Sequence, residues 1–394
     1  MKLGQKIDLS HFIKWSGSEN ISSSQLKNMK DAAIEAVSTD SRTIEPGDFF
    51  IPLKGPSFDG HDFICEAVAG GCCGFVIESD KTGIYEAVVE KIGKPAVDKL
   101  VILKADDNLV FLENLAGSYL KSFSVVTIGI TGSAGKTSTK DFIVNILSKS
   151  FDIKYTPKNY NTEIGVSLSA LEVNHSTKFF ISEMGMRAKG QIRKLAEMID
   201  PAIGVITTVG PSHLEFFNNI EEIALAKAEL ADFLSLKGGV LFLNGDDEWA
   251  AFIAGRTAAK IFLFGKNNRF DFNFQEYDAD DFGRYSFTFF EKDRKIADIK
   301  LSSSGYQSIY NAGLAASVCT YLGADADLVK KGLELGQTSE GRMNVFKKGD
   351  IIIINDCYNA SPLSMKCAIE TLNLVSGRNR SRSVALLADM FELG

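Results

Sequence analysis

The chain has 394 residues, with 43 Lys and Arg against 50 Asp and Glu, a formal net charge of −7, 45% hydrophobic residues and 24% charged ones. At roughly 150 residues per domain this length implies two to three domains with sizeable cores, and the composition excludes a disordered or fibrous chain. The acidic balance disfavours a bulk-charge grip on nucleic acid or an anionic membrane, so any bound anion must be held locally.

Met1 to Asp8 lacks the apolar core of a secretion signal, and no later apolar run approaches the roughly 18 residues of a membrane span. Cys65, Cys72, Cys73, Cys319, Cys357 and Cys367 form no Cys-x-x-Cys pair and no disulfide scaffold, so reduced thiols in a cytoplasmic protein are expected.

In chain order, short apolar runs alternate with Gly, Asp, Asn and Ser clusters and then with helical periods. This is the pattern of parallel sheets with crossover helices. In residues 1–104, strands are expected at Asp48–Leu53 and Gly74–Ile77, with a helix at Phe63–Ala69 between them that Gly70 and Gly71 end. That makes a small α/β domain. Residues 105–336 open with a helix at Asp107–Lys121 and continue with strands at Val125–Ile130, Phe179–Ile181, Ile203–Ile206, Val240–Leu243 and Ile261–Phe264. A change of texture after Asn267 predicts an antiparallel hairpin, Tyr285–Phe290 with Ile296–Leu301. Residues 337–394 offer strands at Ile351–Ile354 and Val384–Leu387, too little to bury an α/β core alone.

The strongest chemical signal is Gly132-Ser133-Ala134-Gly135-Lys136-Thr137-Ser138, after a strand and before a helix whose Phe142, Ile143, Ile146 and Leu147 share one face. Glycines there let backbone N–H groups approach phosphate oxygens, and the helix N-terminus adds a favourable dipole. Lys136 would then sit on the β/γ-phosphates of ATP and Thr137 on Mg²⁺. Ile130 stands where the strict pattern has its first glycine, so this is a shorter variant of the loop. Metal ligands belong beyond neighbouring strand ends, where Glu183 and His213 stand. For each the alternative is a solvated or structural residue. Lys227 shares the apolar face of the helix Glu221–Leu234 with Ile223, Leu230 and Leu234. It is either a buried ammonium that must be paired, shifted or modified, or a lysine reaching past the helix edge.

Taken together the motifs resemble the Mur ligases over nearly the whole chain. The likeness rests on Asp40-Ser41-Arg42, Leu53-Lys54-Gly55, Phe58-Asp59-Gly60-His61-Asp62 and Thr131 to Thr137. It continues with Asn159 to Gly165, Glu183-Met184-Gly185, His213-Leu214-Glu215, Ala226-Lys227-Ala228-Glu229, Asn244 to Asp247, Asn311, Gly341-Arg342-Met343 and Asp356 to Pro362.

The resemblance implies a three-domain α/β architecture: a small N-terminal α/β domain, a central P-loop ATPase domain with a parallel sheet, and a Rossmann-like C-terminal domain. The last is expected to be truncated, since members continue beyond the segment matching Asp389 to Gly394. The implied reaction is ATP-dependent ligation of D-alanyl-D-alanine to UDP-N-acetylmuramoyl-tripeptide through an acyl phosphate, in peptidoglycan precursor synthesis, by a cytoplasmic monomer that neither binds nucleic acid nor inserts in membranes.

By the same resemblance Lys136, Lys227 and His213 are catalytic, while Gly132 to Ser138, Asn311, Arg342 and Asp356 bind ATP. Asp40, Ser41, Arg42, Lys54, Gly55, Asp59 and His61 receive the UDP substrate, and Tyr358 and Asn359 lie on the dipeptide side. Thr137, Glu183, His213 and a carbamylated Lys227 hold Mg²⁺. The chain departs from the dipeptide adders at Gln307-Ser308, where a His-Asn pair is usual, and at Ser361, which replaces the second Asn of Asn-Ala-Asn-Pro. Two other readings are a sister ligase that adds a single amino acid and a noncatalytic nucleotide-sugar binder. A P-loop kinase leaves Asp40 to Asp62 unexplained.

Overall fold

The computed structural model describes residues 1–20, 33–81, 83–212, 214–336 and 339–390. By contact density they fall into two units, one of residues 1–125 and 163–177, the other of 126–162 and 178–394.

In the first unit the strands are β1 (Lys2–Asp8), β2 (Glu19–Asn20), β3 (Ala33–Ser38), β4 (Phe49–Phe50), β5 (Gly74–Glu78) and β6 (Val101–Ala105). They form a sheet in the order β1-β3-β4-β5-β6-β2, parallel in the middle and antiparallel at both edges. Helices α1 (Leu9–Ser16), α2 (Ile64–Ala69), α3 (Ile84–Ile92), α4 (Lys94–Val97) and α5 (Asn108–Lys121) accompany it. The strand expected at Asp48–Leu53 shrinks to β4 because Pro52 has no N–H for the ladder and the chain turns toward a bridge between Lys54 and Asp59. Asp107 caps α5 by accepting from the N–H groups of Leu109 and Val110 at 2.7 and 2.9 Å. By packing, α5 lies in this first unit.

The second unit holds β7 (Val126–Thr131), α6 (Lys136–Leu147), β8 (Ile153–Tyr155), β9 (Phe179–Glu183), α8 (Gln191–Ile199), β10 (Ile203–Ile206), α9 (Ile220–Lys237), β11 (Val240–Asn244), α10 (Ala250–Ala254) and β12 (Lys260–Gly265). Helix α7 (Glu163–Ala170), between β8 and β9 in the chain, packs with α5 in the first unit. The sheet continues through β13 (Phe272–Ala279), β14 (Arg284–Glu291) and β15 (Arg294–Ser304). Among the described residues its order is β15-β14-β13-β12-β11-β10-β7-β9-β8, parallel from β8 to β13 and antiparallel beyond. The expected hairpin is β14 with β15, and β13 joins it to the parallel strands.

Two helix layers cover this sheet: α8 with α9, and α6 with α11 (Gln307–Tyr321) and α12 (Ala326–Leu335). Both-face burial explains why the parallel strands read as unbroken apolar runs. Beyond α12 come a two-stranded antiparallel pair, β16 (Asn344–Lys348) with β17 (Ile351–Asn355), and α13 (Pro362–Arg378).

The strand expected at Val384–Leu387 does not form. Those residues have no ladder partner among the described ones, and Val384, Leu386 and Leu387 are exposed. An apolar run becomes a strand only when a neighbour satisfies its backbone. The six cysteines are unpaired. Among the described residues no helix is long and apolar enough to cross a membrane.

Gly313 shows how tightly α11 meets the sheet. A Cβ there would lie 1.8 Å from the ring of Phe264, itself fully buried against Phe274 at 5.5 Å between ring centres. The ring has no room to retreat. Gly313→Ala is expected to destabilise the protein by about 1–3 kcal/mol, seen as a lower urea midpoint; an unchanged midpoint contradicts this packing.

Candidate active site

β7 pairs in parallel with β9 on one side and β10 on the other, so Thr131, Glu183 and Ile206 end neighbouring strands on the same edge. The loop from β7 to α6 is shaped by two left-handed glycines, Gly132 at φ 151° and Gly135 at φ 84°. Neither position has space for a side chain. A Cβ would meet Thr207 Oγ1 at 1.9 Å in the first case and Asn311 Oδ1 at 2.3 Å in the second. Ser133 ties the loop to the end of β10, its N–H donating to Thr208 O at 2.8 Å and its Oγ to Gly210 O at 2.9 Å. Thr207 Oγ1 donates to Ala134 O. Among the described residues no side chain caps the N-terminus of α6, and uncapped N–H groups at a helix start are of the kind that can receive an anion.

Lys136, the first residue of α6, donates from Nζ to Gly132 O at 2.7 Å. Its ammonium is held below the ordinary lysine value by burial, against the pull of Glu183 and with the push of Arg342. Thr137 and Glu183 come together: Thr137 Oγ1 donates to Glu183 Oε2 at 2.8 Å, while Asn161 Nδ2 donates to the other carboxylate oxygen at 2.9 Å. Glu183 is 3% exposed, which sets aside the picture of a solvated strand-end acid. Ser138 is half-buried in the same first turn.

Asn311 on α11 is buried against Gly135, and its Oδ1 has no hydrogen-bond partner among the described residues. Lys227 on α9 is 1% exposed, so it is the buried ammonium and not the edge lysine. His213 lies outside the described residues. Among those described, no group of three or more His, Cys, Asp and Glu side chains is placed to hold a metal. Thr137 and Glu183 bring two oxygen-bearing side chains together, hard donors of the kind that suit Mg²⁺.

Arg342, 205 residues away in sequence, donates from Nη2 to Thr137 Oγ1 at 3.4 Å. Its guanidinium lies 4.2 Å from the centre of the Tyr358 ring, and its buried Nε has no partner among the described residues. Asp356 Oδ1 accepts the Met343 N–H at 2.9 Å. Burial raises its carboxyl above the ordinary value, opposed by that bond and by Arg342. Tyr358 is exposed beside Arg342, and exposed Asn359 turns its Oδ1 to the Ala360 N–H.

The remaining predicted residues form a separate group in the first unit. Asp40 accepts from Arg42 Nε and Nη2 at 2.8 and 2.6 Å, and Ser41 Oγ donates to Glu66 at 3.2 Å. Lys54 pairs with Glu78, Lys81 pairs with Asp59 at 2.5 Å, and Gly55 N–H donates to Phe58 O at 2.9 Å. His61 differs from these. Its side chain is 1% exposed, Nδ1 meets Asp59 Oδ1 at 2.7 Å, and Nε2 accepts the Glu78 N–H at 3.2 Å. With both nitrogens engaged inside the protein, it holds Asp59 and β5 in place.

The family described as Mur ligase middle domain matches residues 130–319, and the one described as Mur ligase family, catalytic domain, matches residues 33–116. The UDP-N-acetylmuramoyl-tripeptide--D-alanyl-D-alanine ligase of Mycobacterium tuberculosis (strain ATCC 25618 / H37Rv) is 34% identical over 370 residues, 91% of this chain and 72% of that protein. The chain belongs to the Mur ligase family.

Its fold agrees with solved members. MurF from Acinetobacter baumannii superposes with a TM-score of 0.84 at 25% identity, over 95% of this chain and 78% of that one. MurF ligase from Thermotoga maritima in complex with ADP superposes with a TM-score of 0.74 at 29% identity, over 86% and 74% of the two chains. For this Mur ligase, sequence reasoning passed over the supporting roles of Asn161 and Thr207. Asn161 sits in the Asn159 to Gly165 motif, and Thr207 directly follows β10; position past a strand end was the available signal.

Lys227 carries its ammonium well below the ordinary lysine value, because burial strips its hydration and Lys136 adds a like charge. An unfolded chain keeps that proton to higher pH. Stability therefore rises with pH between the depressed and the ordinary value, and below both the buried charge exerts its full cost. Removing the charge reverses this. Lys227→Met, in chelator-treated protein at neutral pH, is expected to gain about 1–4 kcal/mol, a gain that shrinks as pH rises toward the ordinary lysine value. Urea titrations over that range read it, and a midpoint at or below the parent's rejects it.

Proposed function

We propose that this Mur ligase joins D-alanyl-D-alanine to UDP-N-acetylmuramoyl-tripeptide at the expense of ATP, forming a C–N bond in cytoplasmic peptidoglycan precursor synthesis. The observation that carries the reading is the glycine-lined cradle after β7, ringed by Lys136, the Thr137–Glu183 pair and Arg342, in a chain that aligns over 91% of its length with a relative of that name.

The division of labour follows three segments. Residues 1–104 receive the UDP substrate, with Asp40, Ser41, Arg42, Lys54, Gly55 and Asp59 at the ligand and His61 behind them. Residues 105–336 bind ATP, the N–H groups of Gly132 to Ser138 on its phosphates and Asn311 beside the loop. Residues 337–394 add Arg342 and Asp356 to the nucleotide and Tyr358 and Asn359 to the dipeptide.

In this reading the tripeptide carboxylate attacks the γ-phosphorus and ADP leaves, giving an acyl phosphate. The dipeptide amine then attacks the acyl carbon, loses a proton and expels phosphate. Lys136 and Arg342 hold non-bridging oxygens whose charge grows along the way, and the buried setting strengthens that hold. Thr137 and Glu183 would hold Mg²⁺, which neutralises phosphate oxygens when bound. His213 and Lys227 would hold a second ion. The depressed ammonium of Lys227 favours the neutral amine, the form that adds carbon dioxide to become a carbamate with release of a proton.

Phosphate release is expected only when ATP, Mg²⁺, UDP-N-acetylmuramoyl-tripeptide and D-alanyl-D-alanine are all present. Lys136→Ala should lower the rate by about a hundredfold or more. Turnover with single amino acids in place of the dipeptide, or none with the full mixture, sinks the proposal.

A further inference from the structure

Helix α6 carries a second feature beyond its phosphate-facing end. Thr137, Asp141 and Asn145 follow one another at four-residue spacing, a single stripe along the helix. Gly336, Ser339 and Arg342, which follow α12 in the chain, each meet one residue of that stripe. Gly336 lies against Asn145, where a Cβ would come within 2.2 Å of its Nδ2. Ser339 donates from its backbone N and its Oγ to the same oxygen of Asp141, at 2.9 and 2.7 Å. Arg342 then meets Thr137. From the far side, Ser302 Oγ on β15 donates to Gly336 O at 2.7 Å.

The middle contact is the ionic one. Asp141 has a side chain only 12% exposed, with Lys140 Nζ at 3.6 Å from its other oxygen, and Lys140 is itself anchored on Thr156 O at 2.8 Å. Hydrogen bonds to a partly buried carboxylate are stronger than neutral ones. The positive-φ residues Gly341 and Met343, at 71° and 49°, come after Ser339. The chain is thus fastened before Arg342 and bends around it.

We propose that Asp141 is a positioning residue. By clasping Ser339 it fixes where the Arg342 segment leaves α6, and so aims the Arg342 guanidinium at the phosphate cradle; Asp141 itself touches no nucleotide. The nucleotide part of this inference rests on the proposed function. The clasp does not.

The two are separated by two measurements. In hydrogen exchange on the full chain without nucleotide, Asp141→Ala and Ser339→Ala should speed exchange across residues 339–343 about tenfold or more, with Ser339→Thr close to the parent. Unchanged exchange overturns the clasp, whatever the enzyme does. In steady-state assays Asp141→Ala should lower kcat/KM for ATP about tenfold in the parent and have no further effect in an Arg342→Ala background. Equal losses in both backgrounds mean that Asp141 acts through general stability, and they overturn the link to Arg342. A parent protein that releases no phosphate would sink the proposed function and with it the aiming role, while the exchange result still decides the clasp.

Discussion

Parallel pairing of β7 between β9 and β10 is the constraint on which the site depends. Register places Ile130 beside Glu183 and Thr131 beside Ile206, so three chain segments distant in sequence end on one edge of the sheet. From that edge β7 releases the glycine loop, β9 delivers a buried carboxylate and β10 hands Thr207 and Thr208 to the loop's backbone. A one-residue slip of β9 would send Glu183 to the opposite face and dissolve the pair with Thr137. The apolar packing of α6, α11 and α12 on one layer and α8 with α9 on the other makes such slips costly.

Much of this was legible in the chain itself. Runs such as Val125 to Ile130 and Ile203 to Ile206 announce strands covered on both faces, and Ile223, Leu230 and Leu234 announce the inward face that also carries Lys227. The loop from Gly132 to Ser138 is recognisable by residue type and by its place between strand and helix. Other features needed tertiary information. β13 mixes Phe272 and Phe274 with Glu276 and Asp278 and is absent from the strands expected above; β12 and β14 bracket it. Val384 to Leu387 has strand composition and no ladder partner among the described residues. His61 carries the residue type of a ligand contact, and only its burial shows both nitrogens already engaged. Arg342 reaches Thr137 across 205 residues, which no local pattern encodes; its part could be anticipated only through likeness to a family.

Around the cradle the protein tolerates features that a stable core avoids. Arg342 Nε, Asn311 Oδ1 and Thr131 Oγ1 are buried without partners among the described residues, and the Lys227 amine lies out of water, where burial disfavours its charged form. Each such group costs stability. Unpartnered buried polar atoms also occur elsewhere among the described residues, at Trp249 and Thr320 for instance; those beside the loop are the ones placed to meet a ligand, as polar groups held by the fold beforehand.

The depressed ammonium of Lys136 also bears on heat and buffer. In the proposed reading, a nucleotide polyphosphate settling against it restores the affinity of that nitrogen for its proton, so between the depressed and the restored value association draws protons from solution. In that range the enthalpy seen by calorimetry includes the ionisation heat of the buffer, and affinity strengthens as the medium becomes more acidic.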